Sequence, residues 1–221
     1  YAGEKVQGFP GHGAVRLGNL LKEKGRLDEA LHEYRRGASL SEDFYKAQPH
    51  HSVSLAHRRA AEILQGRGAH AESEVHFRKA LLAHDDLLKR EASLKPAELP
   101  TESAATEPTQ QKRRILSSID MANRLARSIW MQGRLEEAAS IFQDALERAV
   151  NTAGVGHSSA VSTRSNLATL YSLKDETSAQ LATVLEGALA ASPTAAPTTD
   201  VALSHQNMGN LLYRLGRIDE A

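Results

Sequence analysis

Three times along this chain one six-residue phrase returns: GRLDEA at 25–30, GRLEEA at 133–138 and GRIDEA at 216–221. Recurrence of this kind constrains a fold more tightly than composition does. One short unit must form again and again, and each copy must stack on a neighbour to bury its apolar face. Aligned on the glycine, Gly25, Gly68, Gly133 and Gly216 share one frame. The step from Gly25 to Gly68, and the double step from Gly133 to Gly216, give a period of about 42 residues. Five units are therefore expected, at 11–44, 50–92, 115–150, 157–191 and 198–221, the last cut short.

Within the frame, Leu17, Gly18 and Leu21 precede Gly25, and Ala30, Tyr34 and Gly37 follow it. The second unit has Ala60, Ala61 and Leu64 before Gly68, then Ser73, Phe77 and Ala80. The third has Leu125, Ala126 and Ile129 before Gly133, then Ala138, Phe142 and Ala145. A large, a small and a large residue at steps of one and three put a ridge and a notch on one helix face, where a second helix settles. Glycine supplies the left-handed conformation that ends the first helix. Asp28 or Glu136 then stands near the start of the second helix, where the dipole favours negative charge. Each unit reads as an antiparallel helical hairpin.

This pattern resembles the tetratricopeptide repeat: Leu-Gly, an apolar residue three further on, a turn glycine, then Ala, an aromatic and Ala at spacings of four and three. The longer period resembles the kinesin-light-chain type, whose units open on a His-Pro-Asp-Val-like start and carry Asn-Leu-Ala-x-x-Tyr. Here the corresponding stretches are HHSVSLAHRRAAEIL at 50–64, HSSAVSTRSNLATLY at 157–171 and TTDVALSHQNMGNLLY at 198–213. The resemblance implies an all-α fold, a right-handed α-solenoid of stacked antiparallel hairpins. Departures are visible as well. Asp175 and Glu176 replace the turn glycine of the fourth unit, and the first and third units lack the His start.

Between the second and third glycines lie about 22 residues more than one period. Their place is the stretch KPAELPTESAATEPTQQ at 95–111, rich in Pro, Thr, Ser and Glu and without apolar periodicity, so a flexible insertion loop is expected over 93–112. At the other end, Met208, Leu211, Leu212 and Leu215 belong to a first helix whose covering second helix stops at Ala221. Leaving them uncovered forfeits about 6–12 kcal/mol of burial. The expectation is a longer repeat chain, or a partner over this face.

Composition removes several functions. Basic and acidic residues balance at 27 each, so nucleic acid is not expected as a partner. Cysteine is absent, which excludes disulfides, zinc thiolates and thiol catalysis and suits an intracellular, cytoplasmic site. Apolar runs are too short for the roughly 20 residues a bilayer requires, so no membrane insertion is expected. The ten histidines include His70, His76 and His84, yet their spacings and acidic neighbours Glu72 and Glu74 suit a solvated helix face better than a metal centre. His57 and His205 occupy equivalent positions and read as packing residues. GRGAHA at 66–71 fits G-x-G-x-x-A in letters only, because its Gly68 is already the hairpin turn. With no nucleophile motif and no cofactor motif, neither an enzyme nor a cofactor is expected.

A surface remains. Stacked hairpins line a concave groove with their first helices, a wall suited to an extended peptide or a partner helix. The family resemblance implies that groove side chains stand two before and two and five after the large ridge residue. That set is Val15, Asn19 and Lys22; Arg58, Glu62 and Gln65; Asn123, Arg127 and Trp130; Ser165, Thr169 and Ser172; Gln206, Asn210 and Tyr213. Amide side chains bond peptide backbone, Arg58 and Arg127 suit acidic residues, and Trp130 suits an apolar anchor. Val15 stands where a carboxylate-clamping Lys would be needed, which disfavours capture of a chain terminus. Three functions follow as expectations: a protein-binding scaffold or adaptor, a structural subunit of a large assembly, or a regulatory repeat domain joined to an enzyme or motor.

Overall fold

The computed structural model describes residues 11–46, 50–93 and 107–173, together with positions 209 and 213. Most of the expected insertion loop, the turn at Asp175 and Glu176, His205 and nearly all of the fifth unit lie outside the described residues. The described residues hold seven helices and no strand: α1 (His12–Glu23), α2 (Leu27–Tyr45), α3 (His51–Gly66), α4 (His70–Ser93), α5 (Glu107–Trp130), α6 (Leu135–Ala153) and α7 (Ser158–Leu173). They belong to two compact units, Tyr1–Ala105 and Thr106–Ala221. In the first, α1–α2 and α3–α4 are stacked hairpins; in the second, α5–α6 is a hairpin on which α7 packs.

The recurring glycine makes the same turn at its three described positions. Gly25, Gly68 and Gly133 have φ of 74°, 76° and 81°, the left-handed region in which a side chain is strained. Around Gly25, the Arg26 N–H donates to the Leu21 carbonyl and the Gly25 N–H to that of Lys22, at 2.9 and 3.0 Å. Ala69 to Leu64 and Arg134 to Ile129 repeat the long bond. This is the Schellman arrangement, which satisfies the last carbonyls of the first helix and reverses the chain within a few residues. No side chain caps α2 or α6, but Arg26 pairs with Glu29 and Arg134 with Glu137 at the same place in the frame.

The notch is filled as its spacing demands. A Cβ added at Gly18 would lie 2.6 Å from the Tyr34 ring, so glycine lets the aromatic of α2 press against the backbone of α1. Tyr34, Phe77 and Phe142 are each fully buried, as are Ala30, Ala80, Ala138 and Ala145 beside them. Burying such an aromatic side chain stabilises by roughly 1.5–3 kcal/mol. Within the first unit Val15, Leu21, Leu31, Tyr34, Ala56, Ala60, Ile63 and Leu64 form one core across both hairpins.

The histidine starts prove to be caps. His50 Nδ1 accepts from the Ser52 N–H at 3.1 Å, and His157 Nδ1 accepts from the Ser159 N–H at 3.2 Å. An accepting imidazole nitrogen must be unprotonated. Burial lowers both pKa values, with smaller contributions from His12 and Lys112 respectively, which keeps the rings neutral.

The structure departs from the sequence reading at the insertion. Residues 107–112, expected in the loop, form the first turns of α5, and the third unit opens at Glu107 rather than at 115. Pro108 falls in the first turn, where a missing N–H costs no helical bond. The Gln, Lys, Arg and Leu residues that follow are good helix formers. The interval from Gly25 to Gly68 is filled by α2 at 19 residues and α3 at 16, while α4 and α5, at 24 residues each, belong to the longer interval between Gly68 and Gly133.

Candidate protein-binding surface

The first helices of neighbouring hairpins meet at polar contacts, and these involve the expected groove residues. In the first unit Glu62 of α3 receives Lys22 of α1 at 3.5 Å and its own neighbours Arg58 and Arg59 at 3.0 Å each. Burial alone would raise the Glu62 carboxyl, but the charges and hydrogen bonds of Arg59 and Arg58 outweigh it and hold the group below its ordinary value. Three cations thus surround one carboxylate, and the excess positive charge faces solvent through the exposed Lys22. Asn19 sits one turn away, its Oδ1 accepting from the Tyr34 hydroxyl at 2.8 Å. Burial raises the Tyr34 pKa, so the phenol stays protonated and able to donate.

In the second unit the corresponding contact is neutral. Asn123 of α5 donates through Nδ2 to Thr163 Oγ1 of α7 at 2.7 Å, and Thr163 donates to the Ser159 carbonyl. Asn123 is only 9% exposed, and its Oδ1 is buried without a partner. Arg127 is exposed, and Trp130 is partly so, at the end of α5. Thr169 bonds its hydroxyl back to the Ser165 carbonyl of its own helix. Tyr213 is 68% exposed; Gln206 and Asn210 lie outside the described residues.

A regularity emerges that the residue-by-residue reading missed. The position two before the ridge is buried at Val15, Asn123 and Ser165, whereas the positions two and five after it are open or partly open at Asn19, Lys22, Arg127, Trp130 and Thr169. In the second unit the cause is contact: that position on α5 is where α7 touches. Arg58 stays partly exposed only because its long stem carries the guanidinium outward to Glu62.

Charge is sorted by helix. The first helices α1, α3, α5 and α7 each carry more basic than acidic residues, while α2, α4 and α6 each carry more acidic than basic ones. The overall balance of 27 against 27 conceals this. No group of three or more metal-ligating side chains is assembled among the described residues, and no described helix is long and apolar enough to cross a membrane.

Comparison with known proteins bears on the family. The tetratricopeptide-repeat pattern matches residues 13–44 and 117–182. No curated protein matches the chain in sequence. Among solved structures, BtubC (BKLC) from P. vanneervenii superposes with a TM-score of 0.65 at 17% identity, over 94% of this chain and 74% of that one. The kinesin-light-chain TPR-like repeats of Podosopora anserina give 0.64 at 15% identity, over 94% and 88%. Identities this low speak to the fold, which is an all-α repeat solenoid. The glycine turns, the buried aromatic in the notch and the two matched segments lead to one conclusion: residues 13–44 and 117–182 of this chain are tetratricopeptide repeats.

Proposed function

We propose that residues 1–221 act as a single array, a protein-interaction scaffold without catalytic activity of its own. Its first helices line a concave groove that takes an acidic segment of a partner protein. The carrying observation is the charge sorting: basic residues outnumber acidic ones on α1, α3, α5 and α7, the helices that line the groove in this reading. Around Glu62 three cations share one carboxylate, so an incoming Asp or Glu gains charge-assisted hydrogen bonds to groups already held in place. Arg127 supplies a further cation, and Trp130 an apolar anchor beside it. Asn123 ties α5 to α7 through Thr163, and it and Ser165, being buried, do not reach the partner.

The chain has a single tryptophan, so its own fluorescence reports the groove directly. Acidic, neutral and basic peptides of equal length, titrated against Trp130 emission at low and high salt, are expected to rank in that order, with the acidic peptides weakened by salt. Arg127→Glu and Trp130→Ala are each expected to lower the affinity of a crosslinked partner at least tenfold. Groove recognition is wrong if neither substitution weakens that partner.

A further inference from the structure

Helix α2 packs on hairpin α3–α4 through charges spaced by sevens. Asp28 takes Arg67 at 2.6 Å, Arg35 reaches Glu72 at 2.7 Å, and Glu42 takes Lys79 at 3.1 Å. Acid, base, acid on α2 meets base, acid, base on α3–α4. Between these pairs lie the apolar contacts: Ala60 is fully buried and Ile63 is 5% exposed.

Shifted back by the single repeat that separates Gly25 from Gly68, the receiving positions become Lys24, Glu29 and Arg36, again base, acid, base. Ala60 and Ile63 become Leu17 and Leu20. Both leucines are out of the core, at 43% and 56% exposure, and they are larger than many residues left so open on a helix with a buried face. A groove of about 460 Å³ runs beside Leu17, lined also by Leu21, Glu29, His32 and Glu33 among others. Glu29 and Arg36 are engaged in short-range pairs, with Arg26 just before the helix and with Glu33 one turn back, and surface pairs of this kind contribute little. The corresponding positions of α5–α6 are Gln132, Glu137 and Asp144, so the alternating pattern does not belong to every hairpin.

We infer that hairpin α1–α2 carries a docking face for a partner helix of α2 type: an amphipathic helix whose apolar stripe covers Leu17 and Leu20 and whose rim presents acid, base and acid at intervals of seven to Lys24, Glu29 and Arg36. The face is separate from the groove of the first helices, and a chain with no groove partner retains it. Charge order fixes the register of the partner helix, since a shift by one interval places like charges together.

The probe is a capped synthetic peptide of residues 26–45, which carries Asp28, Arg35 and Glu42 in the required order, titrated into the full chain. Methyl resonances of Leu17 and Leu20 are expected to shift, while that of Ile63 and the emission of Trp130 stay constant. A second peptide with D28K, R35E and E42K is expected to bind at least tenfold more weakly to the natural chain and to recover on a chain carrying K24E, E29K and R36E. Equal binding of the two peptides to the natural chain overturns the proposal, as do shifts confined to Ile63. Shifts of Leu17 and Leu20 that track chain concentration alone assign the face to a second copy and also overturn it.

Discussion

The two compact units share an apolar frame and differ in the polar joint between their first helices. Tyr34 and Phe142 fill the same notch and Gly25 and Gly133 make the same turn, yet the first helices meet through an ion cluster at Glu62 in one unit and through the neutral pair Asn123–Thr163 in the other. Among the described residues, only the first unit buries a histidine between hairpins. His57 bonds Glu42 through Nε2 and His76 through Nδ1, both at 2.9 Å. The difference teaches that stacking is set by volume, which must recur with the period, whereas the polar ties need only satisfy whatever groups the stack encloses. That freedom lets each joint differ in its sensitivity to pH and salt.

The largest test of the shared frame is to empty the notch. Tyr34→Ala and Phe142→Ala are each expected to lose about 3–5 kcal/mol in chemical denaturation. A large inequality between them would mean that the Asn19–Tyr34 hydrogen bond, and not volume, dominates the first unit. Filling the notch comes next. Gly18→Ala brings a methyl against the Tyr34 ring and is expected to cost about 1–3 kcal/mol. Ala126→Gly, the reverse exchange in the second unit, costs about 1 kcal/mol through helix propensity alone. A neutral Gly18→Ala removes the case for close approach.

Acid is expected to separate the units further. Burial, the neighbouring His57 and the charges of Arg35 and Lys79 push the His76 pKa down to about 4, against a counter-pull from Glu42. The unfolded chain takes up that proton near 6.5. A depressed histidine contributes stability that is present above 6.5 and is lost as pH falls toward 4. Allowing for solvent screening, the loss is roughly 1–2 kcal/mol. His57, depressed chiefly by burial, and the caps His50 and His157 act in the same direction. Denaturant midpoints between pH 7.5 and 4.5 are expected to fall, with His76→Gln flattening the slope; an unchanged slope in that variant rules out the histidine pair as its source.

The smallest effects distinguish the two joints by salt. Glu62→Gln leaves Lys22, Arg58 and Arg59 facing one another and is expected to cost about 1 kcal/mol at low salt, less as salt screens them. Asn123→Ala removes a neutral hydrogen bond worth about 1 kcal/mol, a loss that salt leaves unchanged. Equal salt dependence in the two variants would erase the contrast between the units.

Much of the fold was legible because its determinants are local. The left-handed turn at Gly25, Gly68 and Gly133 is dictated by a missing side chain, and the notch by residue volumes at fixed spacing. The start of α5 was not legible, since the composition of 95–111 reads as loop while Pro108 is tolerated in a first turn. At the candidate surface, the sequence could not distinguish a first-helix position that faces outward from one a neighbouring helix covers. Asn123 and Arg127 stand four apart on α5, and only the arrival of α7 buries the first.

By itself, then, the sequence determined the period, the hairpin turns and the small-against-large contacts, because these depend on conformational freedom and volume within a few residues. Tertiary structure decided which polar groups are spent on holding hairpins together and which are left exposed. That division depends on contacts between residues tens of positions apart, such as Lys22 with Glu62 and Asn123 with Thr163, and no local pattern encodes it.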